Sequence, residues 1–214
     1  MQDTSSIKVW DISVRVFHWA LVVCFALAYI TGEIEIETLH AWLGYIIIGL
    51  LIYRVVWGLI GTKYARFSNF ICGPAEIKSY IKSLLSTHPR HYLGHNPAGG
   101  VMVVLLIVGL TAVSWTGLKA YEAEGKGPLA AAPAITFSIP VAQADDDWNG
   151  YNRGDHGGHS KGDDEFWEEA HEATVYFMLL LIALHLGGVA VSSLLHRENL
   201  ARAMVTGRKR LPKE

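Results

Sequence analysis

The 214-residue chain predicts an all-α membrane protein built as a four-transmembrane-helix bundle, and two observations carry that class. Hydrophobic residues make up 51% of it and the mean hydropathy is +0.26, too apolar for an ordinary soluble domain of this size. Four runs approach the roughly 20 apolar residues that cross a bilayer: about 14–31, 39–60, 98–118 and 166–195. An even number of spans puts both termini on one side. The whole of 1–214 reads as one membrane domain.

The first run opens with Asp11, Ser13 and Arg15 and has no small-residue cleavage site before the acidic Glu33, Glu35 and Glu37. It is expected to be a retained helix, not a signal peptide. After the second run, Gly73-Pro74 starts a stretch to about Thr87 with Ile77, Tyr80, Ile81, Leu84 and Leu85 at helical spacing and Lys78 and Lys82 between them. That pattern predicts an interfacial amphipathic helix, against a plainer linker with a single turn. Gly94, Asn96, Pro97 and Gly99-Gly100 mark the turn into the third run. The long loop 119–165 then divides by composition. Gly127 to Ala144 is rich in Ala, and its Pro128, Pro133 and Pro140 argue against another span. Asp145 to Glu165 is rich in Gly, Asp and His and is expected to be mobile or ordered only by a partner.

Charge sets the orientation. Between the second and third runs Lys63, Arg66, Lys78, Lys82 and Arg90 face only Glu76, and the C-terminal tail carries Arg197, Arg202, Arg208, Lys209, Arg210 and Lys213. Both segments are expected in the cytoplasm, with both termini. The turn Thr31 to Thr38 is acidic, and the loop 119–165 holds nine carboxylates against four Lys or Arg, so both face outward, to the periplasm. The net charge of −2 conceals this asymmetry, and no nucleic-acid partner is expected.

Four histidines, His18, His40, His171 and His185, lie inside these apolar runs or at their mouths, where an ionisable side chain is expensive without a task. His171 and His185 are 14 residues apart on one run, which in a helix is about 21 Å of rise and a return to nearly the same face. One helix thus offers imidazoles at two depths, and His18 and His40 begin neighbouring runs that approach opposite membrane surfaces. Two stacked bis-histidine sites are what two b haems need. Singly, His40 or His171 reads equally well as an interfacial residue; the pairing by depth lifts the joint reading. His196 is a rival to His18, although its neighbour is the charged Arg197.

A buried b haem also needs flat helix faces and cations near its propionates. Gly44 follows His40 by one turn, and Gly187-Gly188 follow His185. Arg54 lies 14 residues beyond His40 at the inner end, and Arg15 one turn before His18, so both are candidates for the propionates of an inner haem. The plainer readings are snorkelling for the arginines and close helix packing for the glycines. Trp10, Trp19, Trp42, Trp57, Trp115 and Trp167 fall mainly at span ends, as an interfacial belt requires, with Trp19 and Trp42 also placed to pack on a porphyrin. His88, His91 and His95 lie in the cytoplasmic link and are expected to be solvated. His156 and His159 with Asp155 and Asp163 form a weak metal signal. Cys24 and Cys72 are not expected to pair, and the absence of C-x-x-C-H excludes a covalent c-type haem.

Trp10-Asp11 with Arg15 and His18-Trp19, His40 with Gly44-Tyr45, Arg54 to Phe67 (RVVWGLIGTKYARF), Gly94 to Gly99 and His196 to Arg210 (HRENLARAMVTGRKR) resemble the bacterial cytochrome b561 family. The branch is the one grouped with cytochrome b subunits of nickel-dependent hydrogenases. Only Gly127 to Asp164 has no motif to match. The resemblance implies two b haems, with His18 and His185 holding the one nearer the cytoplasm and His40 and His171 the outer one. It also implies an inner-membrane protein exchanging electrons with the quinone pool and with a periplasmic redox protein, a c-type cytochrome or a hydrogenase-like subunit. The acidic outer loop would favour a basic docking face on that partner. A homodimer and a subunit of a larger complex both fit. A second branch activity, superoxide oxidation coupled to quinone, would favour a cationic outer funnel, which the nine acids oppose. A haem-free metal transporter is a third alternative, weakened because no Asp or Glu lies in the middle of any span.

Overall fold

Asp11 begins the first helix. Its carboxylate accepts from the Val14 amide at 2.8 Å, satisfying one of the donors that a helix start leaves free. The computed structural model describes residues 6–84, 92, 94–130, 161–195 and 198–210. Two short strands, β1 (Ser6–Lys8) and β2 (Arg208–Arg210), accompany seven helices among them: α1 (Ile12–Glu33), α2 (Glu37–Ile60), α3 (Pro74–Leu84), α4 (Pro97–Ala123), α5 (Gly127–Ala130), α6 (Lys161–Leu195) and α7 (Leu200–Thr206). A 3₁₀ turn, Phe67–Asn69, follows α2.

α1, α2, α4 and the Glu165–Leu195 part of α6 are each long and apolar enough to cross a membrane. The chain is a multi-pass membrane protein. Little of these helices is covered by protein: only 11% of the most apolar window of α6 is buried, and Val108, Leu180, Leu186 and Leu194 are exposed. Lipid would remove that surface from water. α4 and α6 both reach into the expected loop 119–165, to Ala123 and from Lys161. Lys119 pairs with Glu122 at 2.6 Å on the extension of α4, the spacing at which helix side chains meet.

The described residues fall into two compact units, 1–114 with 174–214, and 115–173. In the first, Ala28 of α1, Leu43, Ile47 and Leu51 of α2, Leu110 of α4 and Met178 and Leu181 of α6 form one apolar cluster. A second cluster joins Val9, Trp10, Val14, Ala65 and Ala203. It is closed by a feature the sequence did not suggest: β1 pairs antiparallel with β2, Ile7 opposite Lys209. Gly207 makes this possible. At φ 78° it ends α7 in the left-handed region, and its carbonyl accepts from the amides of Val9 and Trp10 at 2.9 and 3.2 Å.

The stretch expected to be amphipathic is helical over α3, with Tyr80 buried and Lys78 and Lys82 exposed. Cys24 and Cys72 are free thiols. Trp10 departs from the expected belt: it is only 9% exposed, because the β1–β2 pair folds it into the second cluster. Trp19, Trp42 and Trp115 stay exposed, as lipid-facing rings would.

Candidate cofactor site

In the first unit α1 carries His18, α2 carries His40 and α6 carries His185. The His18 and His185 rings are near enough for their charges to interact, which brings together the inner pair of the sequence reading. Both residues are half-buried, and Nδ1 of His18 is closed to solvent with no hydrogen-bond partner among the described residues. A buried imidazole nitrogen left without a partner is costly, and a metal or a donor from a bound group would satisfy it.

His40 is held differently. Its Nδ1 lies 2.8 Å from the carbonyl oxygen of Ala28 on α1. A carbonyl only accepts, so Nδ1 carries the proton and Nε2 keeps the lone pair a metal needs. That is the tautomer that ligation through Nε2 would require. In the second unit, Nδ1 of His171 lies 3.2 Å from the hydroxyl of Thr116, a buried residue of α4. Sequence reasoning missed both partners. Ala28 acts through its backbone, and Thr116 is 55 positions from His171 with no local signal.

A Cβ built at Gly44, Gly187 or Gly188 meets nothing within 4 Å. The helix faces beside His40 and His185 are therefore open, as a flat ring pressed on them requires. Arg54 does not snorkel: it is only 4% exposed, donates to the Ala65 carbonyl at 3.3 Å and lies 4.8 Å from the centre of the Phe67 ring. Arg15 is half-buried, and its Nε is closed to solvent without a partner. The donors present fit a group carrying iron at its centre and carboxylates at its edge.

His95 corrects an expectation. It is half-buried, with the Trp10 and Phe70 rings at 4.6 and 4.5 Å, and its Nδ1 is shielded with no partner among the described residues. Burial, with Arg54, Lys209 and His185 adding to it, holds its pKa down to about 3, so the ring is neutral at physiological pH. Lys209 on β2 is 8% exposed, 3.7 Å from Glu198 and 3.3 Å from the Tyr92 carbonyl. Burial pushes its ammonium below the usual lysine range, with Glu198 opposing. His88, His91, His156, His159, Asp155 and His196 lie outside the described residues.

Apolar spanning helices that carry imidazoles, open glycine faces and a buried guanidinium group suit a membrane cytochrome of the b type. The chain belongs to the prokaryotic cytochrome b561 family, whose model it matches over residues 9–207. It is 22% identical over 237 residues to a probable Ni/Fe-hydrogenase B-type cytochrome subunit of Azotobacter chroococcum mcd 1, covering 97% of this chain and 90% of that one. Proteins of the same description from Azotobacter vinelandii and Rhodobacter capsulatus are 25% and 27% identical. Those matches cover 59% and 58% of this chain, and 64% and 57% of the relatives, so less than two thirds of each is spanned. No solved structure matches.

Proposed function

We propose that this cytochrome carries two b haems and conducts electrons between membrane quinone and a redox protein at the outer face, a hydrogenase-like subunit or a c-type cytochrome. His18 and His185 would hold the inner haem and His40 and His171 the outer one; Arg15 and Arg54 would serve the inner propionates, and Gly44 the flat face beside His40. Bound haem supplies a one-electron couple that bis-histidine ligation closes to other ligands.

The observation that carries the reading is the joining of His18 to His185 in one unit, with Nδ1 of His18 buried and unpartnered. The chain's own part is to fix imidazole tautomers, to exclude water and to neutralise carboxylates. The Ala28 carbonyl does the first for His40, and Arg54, out of water, is suited to the last. The relatives' names supply the hydrogenase partner. Both termini and α3 are assigned to the cytoplasm, with Lys78 and Lys82 of α3 toward anionic lipid, and the loop 119–165 to the periplasm.

Stopped-flow mixing of the purified protein with a short-chain quinol tests the conduit. Reduction of both haems, the second following the first, is expected. Reduction of neither by any quinol, with both reducible by dithionite, would overturn the quinone assignment.

A further inference from the structure

The end of the first unit formed by Trp10, Phe67, Phe70, Gly207 and Lys209 holds more hydrogen-bond donors than its own acceptors use. Arg54 has five N–H groups and one hydrogen bond among the described residues, to the Ala65 carbonyl. Among the described residues, Nε of Arg15 and Nδ1 of His95 have no partner. The two carboxylates nearby already have donors. Asp11 takes the Val14 amide, the Trp57 indole and the Thr62 hydroxyl, and Glu198 takes Lys209. The charges of Arg15, Arg54 and Lys209 against Asp11 and Glu198 leave an excess of one cation. Such an excess, shielded from water at the inner end of the spans, calls for an anion with several acceptor oxygens.

The side chains are also fixed in place. Phe67 lies under Arg54 at 4.8 Å, and its ring occupies the space a Cβ on Gly58 would need. Phe67 meets Phe70 at 5.8 Å, Phe70 meets His95 at 4.5 Å, and Trp10 closes the far side of His95 at 4.6 Å. An aromatic row thus runs from Arg54 to His95. Both the imidazole and the guanidinium are rigid before any ligand arrives, which lowers the entropy lost on binding. His95 is also within electrostatic range of His185, a member of the proposed inner pair.

We infer that His95, with Arg54 and Lys209, forms the anion-binding end of the inner haem site, where His95 donates through Nδ1 to a propionate carboxylate. This rests on the two-haem reading above. His95 is a positioning residue: it sets the orientation and charge of the haem edge without touching iron.

The test uses the holoprotein, with the inner haem identified as the one kept in His171→Ala. Resonance Raman and optical redox titration are run on the wild type, His95→Leu, His95→Asn and Lys209→Met. In His95→Leu both haems should remain six-coordinate. The propionate bending band should shift for the inner haem only, its midpoint should fall, and its pH dependence should steepen as the carboxylate becomes easier to protonate. His95→Asn, which keeps a donor, should restore the band most of the way. Lys209→Met should lower the same midpoint and keep the tie to His95 if the leucine variant does not assemble. An unchanged band and midpoint in the His95 and Lys209 variants would overturn the inference, since an anion that only contacts Arg15 or is a free phosphate would give that result. Loss of the six-coordinate inner haem in both His95 variants would overturn it too, by making His95 the iron ligand. A wild type without two haems would instead refute the reading on which it rests.

Discussion

Nδ1 of His40 lies 2.8 Å from the carbonyl oxygen of Ala28, so α1 decides which nitrogen of an α2 histidine carries the proton. That relationship fits His40 to the ligand role proposed for it, and the proposed pairing gives the histidines separable consequences. His40→Ala or His171→Ala should remove one of two haems and leave the inner one, and His18→Ala or His185→Ala should do the reverse. Haem per chain and the surviving midpoint check this. Loss of the same haem from all four variants would refute the pairing.

Thr116→Val removes the hydroxyl 3.2 Å from Nδ1 of His171 while keeping the volume. A single hydrogen bond of this kind is worth about 1 kcal/mol. The outer haem's midpoint should therefore move and the inner one should not, with Thr116→Ser close to wild type. Redox titration of the two variants side by side measures it.

Arg54→Leu takes a buried cation from the inner end while the Phe67 ring remains. Negative charge on the inner haem's edge is then less well balanced, which favours the oxidised form. The inner midpoint should fall more than the outer. An equal fall in both would remove Arg54 from the propionate site.

Asp11 caps α1 and also ties it to α2, through the Trp57 indole at 3.3 Å and the Thr62 hydroxyl. Burial alone would raise its pKa, but the hydrogen bonds from Thr62, Val14 and Trp57 outweigh it and hold the carboxyl below its ordinary 3.8. The unfolded chain then binds the proton first, so the stabilisation is complete above pH 3.8 and is lost as the pH falls through the lower folded value. Asp11→Ala should cost about 1 kcal/mol at neutral pH through the cap. It should also lose less stability than wild type on acidification below pH 4, as thermal melts across pH would show.

The four spans were legible because uninterrupted apolar runs such as Leu43 to Ile52 leave no other fold for the backbone. Asp11, Arg54 and the imidazoles were legible as polar exceptions to those runs. His95 was misread because a histidine in a basic, glycine-marked link resembles a solvated one, and the rings that bury it come from positions 10 and 70. The β1–β2 pair escaped notice since three-residue strands of Ser, Ile, Lys and Arg carry no alternation to detect. Thr116 and the Ala28 carbonyl act across helices, and composition says nothing of which backbone oxygen faces which ring.

A pyridine haemochrome count per chain on protein purified in mild detergent, with oxidised and dithionite-reduced spectra, tests the central claim most directly. Two b haems, both low-spin and six-coordinate, are predicted. One haem per chain, or a high-spin five-coordinate spectrum, would contradict the two bis-histidine sites.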